Sequence, residues 1–177
     1  MTSRPPIPDT YWLLEGRLLA GSYAGSWTRE KASRKLARFL EAGIRTFIDL
    51  TETSEPLEPY EALLAELACE KGLECRYRRF AIRDRDVPTR ELMVDILNAI
   101  GAEIEEERTV YVHCWGGIGR TGTVAACWLI EQGLSAKEAL VRVQTLRWGE
   151  PSEWQLSPET HEQREFVAAW RRLADEA

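Results

Sequence analysis

The chain has 177 residues, enough for one domain with a substantial core, and 44% hydrophobic with 29% charged residues excludes a disordered or collagen-like chain. Its net charge of −6 argues against nucleic acid as a partner. The longest apolar run, VAACWLI (Val124–Ile130), is too short to span a bilayer, and MTSRPPIPDTYW at the start lacks the apolar segment of a secretory signal, so a cytoplasmic protein with no membrane role is expected.

In chain order, WLLEGRLLAGS (Trp12–Ser22) predicts a hairpin turning at Glu15-Gly16. Ala32, Leu36, Phe39 and Leu40 recur at helical spacing between Thr28 and Ala42, and Gly43 stops that helix. IRTFIDL (Ile44–Leu50) reads as a buried strand, and Pro59–Lys71 as a helix ended by Gly72. A strand CRYRRFAI (Cys75–Ile82), a loop DRDVP and an amphipathic helix Thr89–Glu107 follow. TVYVHC (Thr109–Cys114) has the apolar density of a central strand, and Arg120–Gln132 that of a buried helix. Ser135, with Glu138 three residues on, opens a helix through Arg147. A loop rich in Gly, Pro and Ser (Trp148–Pro158) leads to a last helix from Glu159. With no internal repeat or linker, this alternation predicts an α/β fold: a single domain over residues 1–177, with a central, mostly parallel twisted sheet of about four to five strands flanked by helices.

Chemistry concentrates in HCWGGIGRTG, residues 113–122. Gly117, Gly119 and Gly122 form a G-x-G-x-x-G run, a possible dinucleotide fingerprint. That reading requires a further strand and an acidic residue about 20 positions on, and only helical sequence follows. A Walker A loop fails as well, because Arg120 stands where a lysine is needed. C-x5-R fits better. Backbone N–H groups of Trp115, Gly116, Gly117, Ile118, Gly119 and Arg120 can converge on a tetrahedral anion at a helix start, and Arg120 adds a planar fork for two of its oxygens. The same positive field favours the thiolate of Cys114 over its thiol. A merely buried cysteine leaves the glycines and the arginine unexplained. Cys69, Cys75, Cys114 and Cys127 show no metal spacing and there are only two histidines, so neither a metal nor a cofactor is expected.

HCWGGIGRTG resembles the HC-x5-R-S/T-G signature of cysteine-based protein tyrosine phosphatases at every fixed position. FAIRDRDVPT resembles the general-acid loop of that superfamily, and SPETHEQREFVAAW the carboxy-terminal helix of small bacterial members. The chain's size is similar to that of the compact dual-specificity type. This resemblance, over roughly residues 10–172, implies a phosphatase fold and a phosphocysteine intermediate on Cys114, with Arg120 and the loop N–H groups holding phosphate. Thr121 matches the position whose hydroxyl assists the departing thiolate, a role compatible with capping the helix. The loop alignment puts the general acid at Asp84, thirty residues before Cys114, with Asp86 an alternative that could instead stabilise the loop.

His113 reads as a neutral histidine bonded to the loop backbone, or as a proton shuttle. Asp49 reads as a structural hydrogen-bonding group and His161 as a surface residue. Two readings stand for Gln163, positioning the hydrolytic water or an exposed helix residue. Tyr23, Trp27, Trp148 and Trp154 frame a pocket mouth or fill the core. Arg76, Arg78, Arg79, Arg83 and Arg85 form either a solvated rim or a funnel for acidic substrates, Arg83 and Arg85 above all. The expected partner is a phosphorylated protein, met by a monomer. Phosphoinositides fit less well, because WGGIG carries no lysine, and an RNA 5′-triphosphate is a further alternative.

Overall fold

The computed structural model describes residue 5 and residues 7–170. Its elements are β1 (Thr10–Leu14), β2 (Leu18–Gly21), α1 (Arg29–Glu41), β3 (Ile44–Asp49), α2 (Glu61–Glu70), β4 (Arg76–Arg79), α3 (Arg90–Glu105), β5 (Thr109–His113), α4 (Gly119–Glu131), α5 (Ala136–Leu146) and α6 (His161–Ala168). They form one five-stranded sheet in the order β1-β2-β5-β3-β4, parallel throughout except for the β1–β2 hairpin. The expected α/β fold with a mostly parallel sheet is what the chain adopts. Among the described residues no helix is long and apolar enough to cross a membrane.

Strand alternation explains the layering, because successive side chains leave opposite faces. Ile48, Val110 and Val112 join α3, α4, α5 and α6 in one core, while Phe47 and Tyr111 join α1 and α2 in the other. β5, central and covered on both faces, ends where the cradle begins.

Boundaries shift at several elements, and three of the shifts bear on the site. The strand expected over residues 75–82 is regular only for Arg76–Arg79, at the sheet edge. Beyond it the chain keeps two bonds to the end of β3, Phe80 N to Asp49 O at 2.9 Å and Ile82 N to Leu50 O at 3.0 Å. Those bonds carry the Asp84 loop to the carboxyl edge of the sheet. The last helix begins at His161 rather than Glu159, because Thr160 caps it in a reciprocal box with Gln163. The apolar helix after the cradle begins at Gly119, and its cap is Ile118, which offers no side-chain bond. Thr121 therefore lies inside the first turn and does not cap it.

Candidate active site

The cradle spans the turn between β5 and α4, at the carboxyl edge of a parallel sheet, where α/β folds place their ligands. The uncapped start of α4 leaves its first backbone N–H groups for an anion. Gly117 adopts φ +72°, and a Cβ there would come within 2.4 Å of the Gly21 carbonyl carbon and 2.5 Å of Ser22 N, so the turn presses directly on β2. A Cβ on Gly119 would meet Gln163 at 3.0 Å, and one on Gly122 would meet Ser157 Oγ at 2.1 Å. Gly116 is different, with nothing nearer than Ile118 Cδ1 at 3.6 Å.

Cys114 lies buried at the end of β5. His113 beside it is fully buried, with Nδ1 3.1 Å from the Cys114 carbonyl oxygen and Nε2 2.6 Å from the Tyr60 hydroxyl. A carbonyl only accepts, so the proton sits on Nδ1 and Tyr60 donates to Nε2. Burial pushes the imidazole pKa down against the opposing pull of Asp49, which keeps the ring neutral. Asp49 accepts bonds from Thr51 N and Oγ1, Tyr77 Oη and Arg79 Nη2. Burial opposes its charge, yet the Thr51 and Tyr77 bonds help bring its pKa below the usual carboxylate range. Thr121 Oγ1 donates to the Gly21 carbonyl at 3.3 Å.

Arg120 is buried and held by two carboxylates. Nη1 and Nη2 donate to Glu55 at 2.5 and 3.0 Å, and Nη2 also donates to Asp84 Oδ1 at 2.8 Å. Nη1 further reaches the Ile82 carbonyl at 3.0 Å. Burial works against its charge, but the bond to Glu55 and the negative groups around it raise its pKa. A guanidinium offers five N–H donors along two bidentate edges. Glu55 occupies the Nη1–Nη2 edge. The Nε–Nη2 edge is contested only by Asp84, among the described residues.

The two loop aspartates separate here. Arg85 takes φ +63° in a turn closed by Asp86 N to Arg83 O at 3.1 Å. Asp84 faces Arg120, whereas Asp86 Oδ1 accepts from the adjacent Val87 N–H at 2.8 Å. Gln163 is buried, not exposed: its Nε2 donates to the Asp86 carbonyl at 3.0 Å and its Oε1 accepts from Thr160 N at 3.1 Å, tying α6 to the acid loop.

Of the basic cluster, Arg79 pairs with Asp49, Arg76 with Glu103 and Glu106, and Arg85 with Glu159. Arg78 lies over Phe80, and Arg83 makes no ion pair among the described residues. Trp148 and Trp154 are 83% and 77% exposed and line a shallow cleft with Val141 on α5, so they neither fill the core nor frame the cradle. Tyr23 and Trp27 line a cavity next to the cradle. His161 is exposed beside Glu165.

Residues 22–134 match the family described as "Polymorphic toxin system, DSP-PTPase phosphatase", a stretch that holds β3, β4, β5, the Asp84 loop and the whole cradle. The chain belongs to this family. It is a compact member of the cysteine-based tyrosine phosphatase superfamily. Its fold is similar to the active form of Tk-PTP, at 27% identity and a TM-score of 0.67 over 90% of this chain and 94% of that one. Kinase associated phosphatase, crystallised with its catalytic-site cysteine changed to serine, shares the fold at a TM-score of 0.71 and 18% identity, over 93% of both chains. Protein tyrosine phosphatase domain-containing protein 1 of Mus musculus is 29% identical over 123 residues, 64% of this chain and 16% of the mouse protein. An uncharacterised protein of Methanocaldococcus jannaschii is 35% identical over 92 residues, 52% of this chain and 53% of that one. The chain thus spans about half or less of the curated relatives it matches.

Glu55 carries no motif and is the site residue that pattern alone misses. TETSEPLE offers Glu52, Glu55 and Glu58 with equal claims. The partial signal is that a buried arginine requires an acid, and this loop follows the strand beside β5.

Proposed function

We propose that the chain hydrolyses phosphomonoesters on proteins, phosphotyrosine foremost with phosphoserine and phosphothreonine as further substrates, through a phosphocysteine intermediate on Cys114. The observation that carries this reading is the division of Arg120 between Glu55 and Asp84. A phosphate taking the Nε–Nη2 edge displaces Asp84 alone, while Glu55 keeps the fork in place. Once released, Asp84 lies beside the bound phosphate, placed to give a proton to the leaving oxygen.

In the first step the Cys114 thiolate attacks phosphorus, the ester P–O bond breaks, and the leaving oxygen takes the Asp84 proton. Backbone N–H groups of residues 115–120 and Arg120 hold the equatorial oxygens. In the second step water attacks the phosphocysteine, Asp84 takes its proton, the S–P bond breaks and inorganic phosphate leaves. Thr121 assists the returning thiolate, Gln163 orients the water through its place beside Gly119, and neutral His113 fixes the Cys114 carbonyl. No step calls for a metal, because Arg120 and the α4 start supply the positive charge.

Among the similar structures is PTPMT1 in complex with PI(5)P, at 19% identity, a likeness of fold alone. A cradle segment without lysine supports a protein substrate over an inositol lipid. The test is turnover of phosphotyrosyl, phosphoseryl and phosphothreonyl peptides beside PI(5)P and an RNA 5′-triphosphate, with and without a chelator. Peptide turnover that resists chelation, abolished in Cys114→Ser, and labelled phosphate trapped on Cys114 after a denaturing quench are expected. A higher kcat/KM on the lipid or the RNA would refute the reading.

A further inference from the structure

Beside the cradle, sharing Trp115 as a wall, lies a cavity of about 190 Å3, room for one amino-acid side chain. Cys114, Arg120 and Asp84 do not line it, so it is a separate compartment. Tyr23, Trp27, Lys35 and Glu58 are among its other walls. The segment between β2 and α1 that forms it is braced against the cradle. Tyr23 N donates to the Trp115 carbonyl at 2.9 Å, Tyr23 Oη donates to the Glu58 carbonyl at 2.9 Å, and Tyr111 Oη donates to the Ser22 carbonyl. A Cβ on Gly25 would meet Tyr23 Cε1 at 2.7 Å, so little slack remains.

Lys35 reaches this compartment from α1, half-buried, and donates to the Tyr23 carbonyl. An ammonium has three donors, and that bond uses one of them. Trp27 and Trp115 remain 67% and 40% exposed, large indole surfaces at the rim of an otherwise well-packed face. A partly desolvated cation in a cavity that two indoles also line matches a carboxylate carried on a short apolar stem: the oxygens meet the ammonium, and the methylenes cover the rings.

We propose that this cavity is a specificity subsite that takes the carboxylate of an aspartate or glutamate next to phosphotyrosine in the substrate chain. It rests on the phosphotyrosine reading, because Trp115 joins the two compartments and a phosphotyrosine in one sets its neighbouring residue in the other. Burial brings the Lys35 pKa down to about 8, against the opposing pull of Asp9. Around it stand Asp9, Tyr23, Glu58 and His113. Burial pushes Tyr23 up to about 12 and His113 down, and the other two are carboxylates. The preference is therefore full below about pH 8 and fades as Lys35 loses its proton above it.

The experiment compares kcat/KM for matched phosphotyrosyl peptides carrying Glu or Gln at each position flanking phosphotyrosine. Wild type should prefer Glu at one position by on the order of tenfold, the scale of one hydrogen bond to a charged group. Lys35→Met should bring the Glu/Gln ratio to about one, Lys35→Arg should retain most of it, and the wild-type ratio should fall as pH rises through about 8. The ratio is internal to each variant, so a change in folding or in cradle activity cancels. Equal rates for Glu and Gln at every position, or a preference that survives Lys35→Met, overturns the subsite while phosphotyrosine turnover stands. No turnover of any phosphotyrosyl peptide overturns the phosphotyrosine reading and the subsite with it.

Discussion

Glu55→Gln is the sharpest test of how the cradle holds its arginine. The Glu55 side chain is 7% exposed and that of Arg120 1%, so the pair is desolvated on both sides. Removing one member of a buried pair costs about 3–5 kcal/mol when the other is stranded. Arg120 is not stranded: Asp84 and the Ile82 carbonyl remain, and glutamine keeps one acceptor. The loss is then close to one charge-assisted hydrogen bond, about 2 kcal/mol. Two consequences should follow. Denaturant unfolding should show roughly that loss of stability, and kcat/KM on an aryl phosphate should fall by about 10- to 100-fold, because Asp84 alone leaves the fork free to swing from the phosphate edge. Glu55→Asp, charged but one methylene too short to reach both Nη atoms, should also lose activity, which separates reach from charge. A purely structural Glu55 predicts lowered stability with unchanged kcat/KM in the folded variant. A Glu55 that merely blocks the cradle predicts tighter phosphate inhibition and faster turnover. Either result refutes the division of Arg120 into a held edge and a working edge.

Further expectations follow from the same geometry. Asp84→Asn should lower kcat about 100-fold on a poor leaving group and flatten the basic limb of the pH profile, while Asp86→Asn, which keeps an oxygen to accept from Val87 N, should change loop stability and KM only modestly; reversed results would move the general acid to Asp86. Gly117→Ala should destabilise by at least about 2 kcal/mol and abolish activity, since a left-handed backbone and clashes with three backbone atoms meet there, whereas Gly116→Ala should be tolerated; equal effects in differential scanning calorimetry and turnover would contradict this. Mild peroxide should silence the protein through Cys114. Burial pushes the Cys127 thiol far up and raises that of Cys75, so Cys127→Ala should leave the inactivation rate unchanged, and mass spectrometry that finds inactivation tracking Cys127 would count against an activated Cys114.

What was legible in this chain is what is local along it. Nucleophile, glycines, arginine and helix start fall within HCWGGIGRTG, and alternation along IRTFIDL and TVYVHC sorts Phe47 and Tyr111 from Ile48 and Val112 without reference to the rest of the fold. The capping box at Ser135 was readable for the same reason, its two members standing three residues apart. The box at Thr160 had the same spacing, yet it starts α6 two residues later than periodicity places it. Gln163 is buried for a reason no spacing holds: its amide closes that box and bonds a carbonyl 77 positions away. The two carboxylates on Arg120 stand 65 and 36 residues from it along the chain, brought there by the end of β3 and by the irregular continuation of β4. Asp84 was reachable because its loop resembles a known one. Glu55 was not, because Glu52 and Glu58 flank it with the same chemistry, and it is the folded loop that sets Glu55 against Arg120. A cradle's anion-binding atoms are therefore read from one segment, while the groups that govern when those atoms are free come from loops that meet only in the folded chain.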